Sequence, residues 1–210
     1  MIVAGTLHSV LPSRLLVEPR WLLPTLEALL LVALIAVNPT RMTTETKWSR
    51  IAGLVLVTII IVTNVISLGY GLDHLSGARP QDGRELLLAA GQVWITNMIA
   101  FGLAYWELDR GGPVLRTRAA RSDLPPADFR FPQDEDHDAV AEVAVRSAKR
   151  SDWSPGFLDY LYVSTTNSSA FSPTDTMPLS HRAKMLMATE SVSALLLSVI
   201  VIARGVSLLK

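Results

Sequence analysis

The sequence contains no cysteine. Disulfide bonds, iron–sulfur clusters, cysteine-ligated zinc and thiol nucleophiles are therefore excluded as sources of stability or chemistry. The sequence also lacks an excess of either charge, because 19 basic residues balance 19 acidic ones and the basic residues form no block. Proteins that bind nucleic acid usually carry a basic patch, so we do not expect nucleic acid as a partner.

Signatures of catalysis and of cofactor binding are missing as well. The sequence has no glycine-rich phosphate loop, no His–Glu–x–x–His pair and no Gly–x–Ser–x–Gly turn. The acidic segment at residues 134–138 lacks the glycine and the spacing of a calcium loop, so it is predicted to be a solvated loop. We expect no enzymatic activity, no catalytic residues, no cofactor and no metal site.

What the sequence does contain is long apolar runs. Half of the 210 residues are hydrophobic, the mean hydropathy is +0.34, and the apolar residues gather at positions 21–37, 51–68, 86–106 and 185–203. Crossing a bilayer takes roughly 17–25 mostly apolar helical residues. The pattern predicts an all-α, multi-pass protein with four transmembrane helices, located in the cell (inner or plasma) membrane and in contact with its lipid bilayer.

The runs and the polar segments between them divide the chain into seven parts. The predicted parts are an N-terminal tail or interfacial segment (1–20), two transmembrane helices (21–70), a short loop (71–84), a third transmembrane helix (85–109), a polar loop or small cap (110–154), a re-entrant segment (155–182), and the last helix with the C-terminus (183–210).

The re-entrant prediction rests on what precedes the last apolar run. Ser154–Pro155 is a favourable helix start, and the aromatic segment 157–164 supplies a helix of about two turns, which is too short to span a membrane. A stretch rich in hydroxyl groups follows at 165–172, and then a turn containing Asp175. Irregular polar backbone at membrane depth usually lines a water-filled path, because lipid cannot satisfy its peptide groups.

This segment resembles the pore loop of the tetrameric potassium-channel superfamily, over residues 152–203. LDYLYVSTTNSS is similar to a pore helix and its end, and Asp175 stands where the aspartate that closes the filter falls. Pro178, Ser180 and Lys184 match the proline, hydroxyl and basic residue that follow. The resemblance implies a homo-oligomer, with a tetramer favoured, and pore or filter-like residues at Thr165, Thr166, Asn167, Ser168, Ser169, Ala170, Phe171, Ser172 and Asp175.

The loop also departs from a potassium filter. Residues 170–174 (AFSPT) contain no glycine and include a proline, whereas a potassium filter stacks its carbonyl groups by means of glycines. Two functions stay open at this point. The chain is either an ion channel-like protein that passes a monovalent ion, or a non-conducting interaction or scaffold protein that keeps the pore-loop fold for assembly.

Polar residues within the apolar runs form a second candidate site. Ionisable groups at membrane depth are energetically costly and usually face a bundle interior or water. Glu190 lies one to two turns into the last run, near the face that carries Ser193 and Leu197, so these three are predicted to line a pore. The alternative is that Glu190 makes helix-to-helix hydrogen bonds worth about 1 kcal/mol each.

Membrane orientation is left with two alternatives. Most basic residues lie in the loops on the side away from the termini, among them Arg110, Arg116, Arg118 and Arg121. The positive-inside rule therefore favours a cytoplasmic position for the long loop, whereas the orientation of potassium channels places that loop outside.

Overall fold

The computed structural model describes residues 51, 53–55, 57–59, 61–63, 83–135, 140, 144–148, 152–169 and 175–208. Several predictions fall outside these residues. They concern the N-terminal segment 1–20, the first apolar run 21–37, most of the loop 71–84, the acidic residues 136–138 and the filter-like residues 170–174.

The described part of the chain is mainly helical. It comprises α1 (Gly83–Leu108), α2 (Pro113–Arg118), β1 (Phe129–Arg130), α3 (Phe157–Ser169), β2 (Met177–Pro178) and α4 (His181–Leu208), with 3-10 turns at Asp109–Gly111, Arg121–Asp123 and Pro132–Asp134. The described residues of the second apolar run, between 51 and 63, are helical too. The predicted third and fourth runs lie inside α1 and α4.

Among the residues that the structure describes, no helix combines the length and the apolar character needed to cross a membrane. The arrangement with four spans therefore stays a prediction.

Helix α1 ends where the backbone turns to positive φ. Arg110 has φ 49°, and Gly111 and Gly112 have φ 80° and 100°. Glycine adopts these angles readily, whereas an arginine does so only at a cost. Pro113 then opens α2, since its fixed φ suits the first position of a helix.

Helix α3 packs against both long helices. Its closest approach to α1 is at Gly102, where an added Cβ atom would lie 3.2 Å from the Cα of Leu161. Small residues at a helix interface let two backbones come this near to each other. Gly102 thus brings the side chains of α3 within reach of α1.

The chain runs along α1 and then returns to the same end of it. The Phe157 ring contacts Trp106 near the C-terminus of α1, at 5.9 Å between centroids, whereas the Ser164 hydroxyl reaches the carbonyl oxygen of Met98 at 2.8 Å. Eight residues of helix separate Trp106 from Met98, which is about 12 Å. Strand β2 then pairs with β1 in antiparallel register beside the end of α1.

Asp128 fixes the start of α4 at this end. The Ser180 hydroxyl donates to Asp128 Oδ1 at 2.5 Å and accepts from the Ala183 N–H at 3.1 Å, so it caps α4. Arg182 donates to both oxygens of Asp128, at 2.6 and 2.5 Å. Such a fork of two parallel hydrogen bonds sets distance and orientation together.

An apolar core joins the helices to the cap, which we define as residues 109–135. Rings dominate it: Tyr105 and Phe129 lie 5.0 Å apart between centroids, and Phe131 and Tyr160 lie 5.2 Å apart and edge to face. The buried members of this core are Phe101, Tyr105, Phe129, Phe131, Tyr160, Val163, Ala183 and Met187.

Candidate functional site

The carboxyl group of Glu190 lies at a junction of three helices. Its side chain is fully buried. Oε2 accepts hydrogen bonds from the Tyr105 hydroxyl of α1 at 2.6 Å and from the Asn167 amide of α3 at 2.7 Å. Oε1 contacts the hydroxyl of Ser164 on α3. Each helix of the bundle therefore contributes at least one side chain to this polar junction.

Asn167 adds further links between α3 and α4. Its amide nitrogen also donates to the Met187 carbonyl oxygen at 3.0 Å, and its Oδ1 accepts from the Ser191 hydroxyl at 2.9 Å. A buried amide with donors and acceptors matched on both sides holds one register of the two helices. The position predicted to be filter-like is thus a helix-to-helix contact.

The hydroxyl groups predicted to lie in a loop are part of α3. This helix continues to Ser169, five residues beyond the predicted end at 164. Thr165 donates to the Leu161 carbonyl oxygen at 2.7 Å, Thr166 to that of Tyr162 at 2.8 Å, Ser168 to that of Ser164 at 2.9 Å and Ser169 to that of Thr165 at 2.6 Å. These hydroxyls are satisfied by the turn before them.

Of the remaining residues predicted to be filter-like, the structure describes only Asp175. Ala170, Phe171 and Ser172 lie outside the described residues, and Asp175 is exposed before β2. Asp175, which was predicted to close a filter, is therefore accessible to solvent.

The face of α4 predicted to line a pore is buried within the single chain. Glu190, Ser193 and Leu197 are 0%, 9% and 8% exposed, and Leu197 packs with Ala90 of α1. Side chains enclosed in this way are not available to a path between copies. The exposed face of α4 is apolar instead and carries Val192, Leu195, Leu196, Val199 and Ile202.

A second polar network, which the sequence did not single out, lies in the cap. Asp109 is fully buried, and its carboxylate accepts from the Tyr160 hydroxyl at 2.5 Å and from the Asp128 and Phe129 N–H groups at 2.7 and 3.3 Å. It thereby connects the end of α1 with α3 and with the approach to β1. The local signal in the sequence is its place two positions before Gly111–Gly112.

Arg116 of α2 is one of two buried arginines in this cap, the other being Arg110. It donates to the carbonyl oxygens of Asp109 at 2.5 Å and Trp106 at 2.8 Å, and its guanidinium lies 5.0 Å from the centroid of the Tyr160 ring. Burial lowers the pKa of the Arg116 guanidinium, since desolvation penalises its charged form, although Tyr160 and Asp109 act in the opposite direction.

Metal binding has no support in the described residues, where histidine, aspartate and glutamate side chains do not gather in groups of three that could hold an ion. The acidic segment supplies Asp134, which pairs with Arg110 at 2.5 Å.

Comparison with known proteins does not extend this picture, because no family model, curated protein or solved structure matches the chain.

Proposed function

We propose that this chain is a multi-pass protein of the cell membrane that assembles into a homo-oligomer, with a tetramer favoured, and passes a monovalent ion. The observation that carries the proposal is the return path of the chain. Helix α3 runs about 12 Å along α1 between its contacts with Trp106 and Met98, and β2 returns to the same end. A pore loop requires a segment whose short helix enters the membrane and whose following chain leaves it on the same side.

The ion path in this proposal lies along the filter-like segment, residues 170–175. Glu190 and Leu197 contact other helices of the same chain and Ser193 is buried, whereas Asp175 is exposed. In this proposal Asp175 lies at the entrance. Carboxylate rings attract cations to a pore mouth. Copies of Asp175 around a symmetry axis would favour monovalent cations over anions.

Exposed apolar side chains support a membrane setting. Leu158 and Tyr162 of α3 are 75% and 64% exposed, and Met185, Val192 and Ile202 of α4 are each more than half exposed. Large exposed apolar surface marks contact with lipid or with another chain. In the proposed oligomer, lipid and neighbouring copies cover these two faces.

The proposal is tested with purified protein in liposomes, by measuring flux of potassium and chloride together with the mass of the assembled particle. We expect an oligomer with cation flux, and a loss of cation preference in Asp175→Asn. The matched control is Asp123→Asn, an exposed acid in the cap that should leave flux unchanged. A monomer, or an oligomer without flux, would contradict ion passage.

A second function is favoured by the closed junction at Glu190. Its oxygens are occupied by Tyr105, Asn167 and Ser164, so the Glu190 carboxyl group is not open to a path. In this alternative the re-entrant segment, residues 155–182, is an assembly surface for a non-conducting membrane scaffold protein. Oligomers that carry no flux in the same liposomes would select this function over the first.

A further inference from the structure

An open cavity of about 320 Å³ lies between the cap and the chain before α3. Cavities that hold small ligands begin at about this size. Its charged lining residues are Arg110, Arg116, Arg121, Asp134 and Asp152. Three cations and two anions give this lining a formal net charge of +1.

The three arginines are held in place but keep donors for a ligand. The Arg116 bonds to the two carbonyl oxygens use two of its five N–H groups. Arg110 donates through Nη2 to Asp134 at 2.5 Å and to the Phe129 carbonyl oxygen at 3.3 Å. Arg121 donates to the Trp153 carbonyl oxygen. Backbone carbonyl groups thus orient Arg116 and Arg121. Arg110 is ion-paired with Asp134, and its Nε also lies 3.7 Å from Asp109 Oδ2.

The two carboxylates at the cavity differ in how firmly they are engaged. Asp134 is mostly buried and bonds both Arg110 and the Phe131 N–H, at 3.0 Å for the latter. Asp152 has a side chain that is 90% exposed and lies 3.4 Å from Arg121 Nε. An exposed ion pair contributes little to stability, so an incoming anion displaces Asp152 at small cost.

Backbone strain is concentrated at this cavity. Arg110 and Asp152 have φ 49° and 50°, and within the described part of the chain they are the two residues other than glycine with positive φ. Both line the cavity. Strained backbone conformations are energetically costly and cluster at ligand sites, where the surrounding structure maintains them.

We propose that this cavity binds a phosphate group, either as free phosphate or a phosphate ester or as the phosphodiester of an anionic lipid headgroup. Three arginines line one space, and guanidinium groups from more than one direction suit the several oxygens of a tetrahedral anion better than the two of a carboxylate. The bound anion restores to Arg116 the stabilisation that its burial removes. Basic pockets beside membrane helices are also known to hold lipid headgroups.

The test uses the full-length protein in detergent, with the melting temperature followed during titration with sodium phosphate against sodium chloride at equal ionic strength. Native mass spectrometry then compares retention of phosphatidylglycerol with that of phosphatidylcholine. Stabilisation by phosphate points to a soluble ligand, and selective retention of phosphatidylglycerol alone points to a lipid. The proposal is wrong if phosphate raises the melting temperature no more than chloride does and phosphatidylglycerol is retained no better than phosphatidylcholine.

Three variants locate the site. Arg121→Gln, at the exposed edge of the cavity, should weaken binding roughly tenfold. Arg118→Gln is the matched control, because Arg118 is exposed on α2 and does not line the cavity. Asp152→Asn removes the competing carboxylate and retains a residue that tolerates positive φ, so it should tighten binding. Equal affinity in Arg121→Gln and Arg118→Gln would overturn the assignment.

Discussion

The Ser164 hydroxyl contacts Glu190 Oε1 while it also lies 2.8 Å from the Met98 carbonyl oxygen. A serine hydroxyl has one hydrogen to donate, and a carbonyl oxygen has none. When Ser164 donates to Met98, the hydrogen between Ser164 and Glu190 belongs to the glutamic acid. Oε2 then acts as the carbonyl oxygen that accepts from both Tyr105 and Asn167. This pattern matches every donor with an acceptor.

We therefore expect the Glu190 side chain to be protonated in the folded protein at neutral pH. Infrared spectroscopy checks this directly, because a protonated carboxyl group has a carbonyl band separate from that of carboxylates. The band should disappear in Glu190→Gln and persist in Asp175→Asn, which changes an exposed acid. Identical spectra for the wild type and Glu190→Gln in this region would show that Glu190 is ionised.

Two substitutions of Glu190 should distinguish how its shape and its charge contribute to the free energy of unfolding. Glutamine reproduces the protonated acid, since its amide donates to Ser164 and its oxygen accepts from Tyr105 and Asn167. Glu190→Gln should therefore leave the free energy of unfolding nearly unchanged. Glu190→Ala leaves buried donors without acceptors and should cost about 3 kcal/mol. Denaturant unfolding in detergent measures both, and equal losses in the two variants would argue against this pattern.

The close approach at Gly102 predicts opposite effects for two glycine-to-alanine changes in the same helix. A methyl group at Gly102 would press on the Leu161 backbone, so Gly102→Ala should cost roughly 1–3 kcal/mol despite its better helix propensity. Gly91 has open space at its Cβ position, so Gly91→Ala should stabilise α1 by about 0.5–1 kcal/mol. Thermal unfolding followed by circular dichroism compares them. A stabilising Gly102→Ala would mean that α3 does not pack here.

The cap network predicts that phenylalanine substitutions at two tyrosines of α3 differ strongly in their effect on the free energy of unfolding. Tyr160→Phe removes the hydroxyl that donates to Asp109, a hydrogen bond to a buried acidic group, and should cost about 1.5–3 kcal/mol. Tyr162 is 64% exposed, so Tyr162→Phe should change the free energy of unfolding by less than about 0.5 kcal/mol. The same unfolding assay tests both, and equal effects would remove Asp109 from its structural role.

Apolar runs in the sequence predict the long helices well, because α1 and α4 contain the runs at 86–106 and 185–203. The end of α3 was predicted too early, since hydroxyl residues favour loops in isolation. Here their side chains bond the preceding carbonyl oxygens, and the buried contacts of Asn167 retain the helix to Ser169. Tertiary contacts outweighed the local preference.

The sequence pattern alone could not predict which way each face of α4 is oriented. Periodicity places Glu190, Ser193 and Leu197 on one face, but it does not say whether that face meets a pore or another helix of the same chain. The partners of Glu190 lie 85 and 26 positions away at Tyr105 and Ser164. In the cap, Arg116 and Arg121 share a cavity with Asp134 and Asp152, which lie in later segments of the chain, and sequence pattern does not predict that contact.

The pairing of β1 with β2 has a consequence for how the protein is made. Phe129 pairs with Pro178 and Arg130 with Met177, so the partners are 49 and 47 positions apart. The hydrogen bonds that Asp128 accepts likewise come from Ser180 and Arg182, which are synthesised much later. Long loops close late, because their ends must meet before any contact compensates the lost chain entropy. During synthesis, the cap therefore reaches its final form only after residue 182 has emerged from the ribosome.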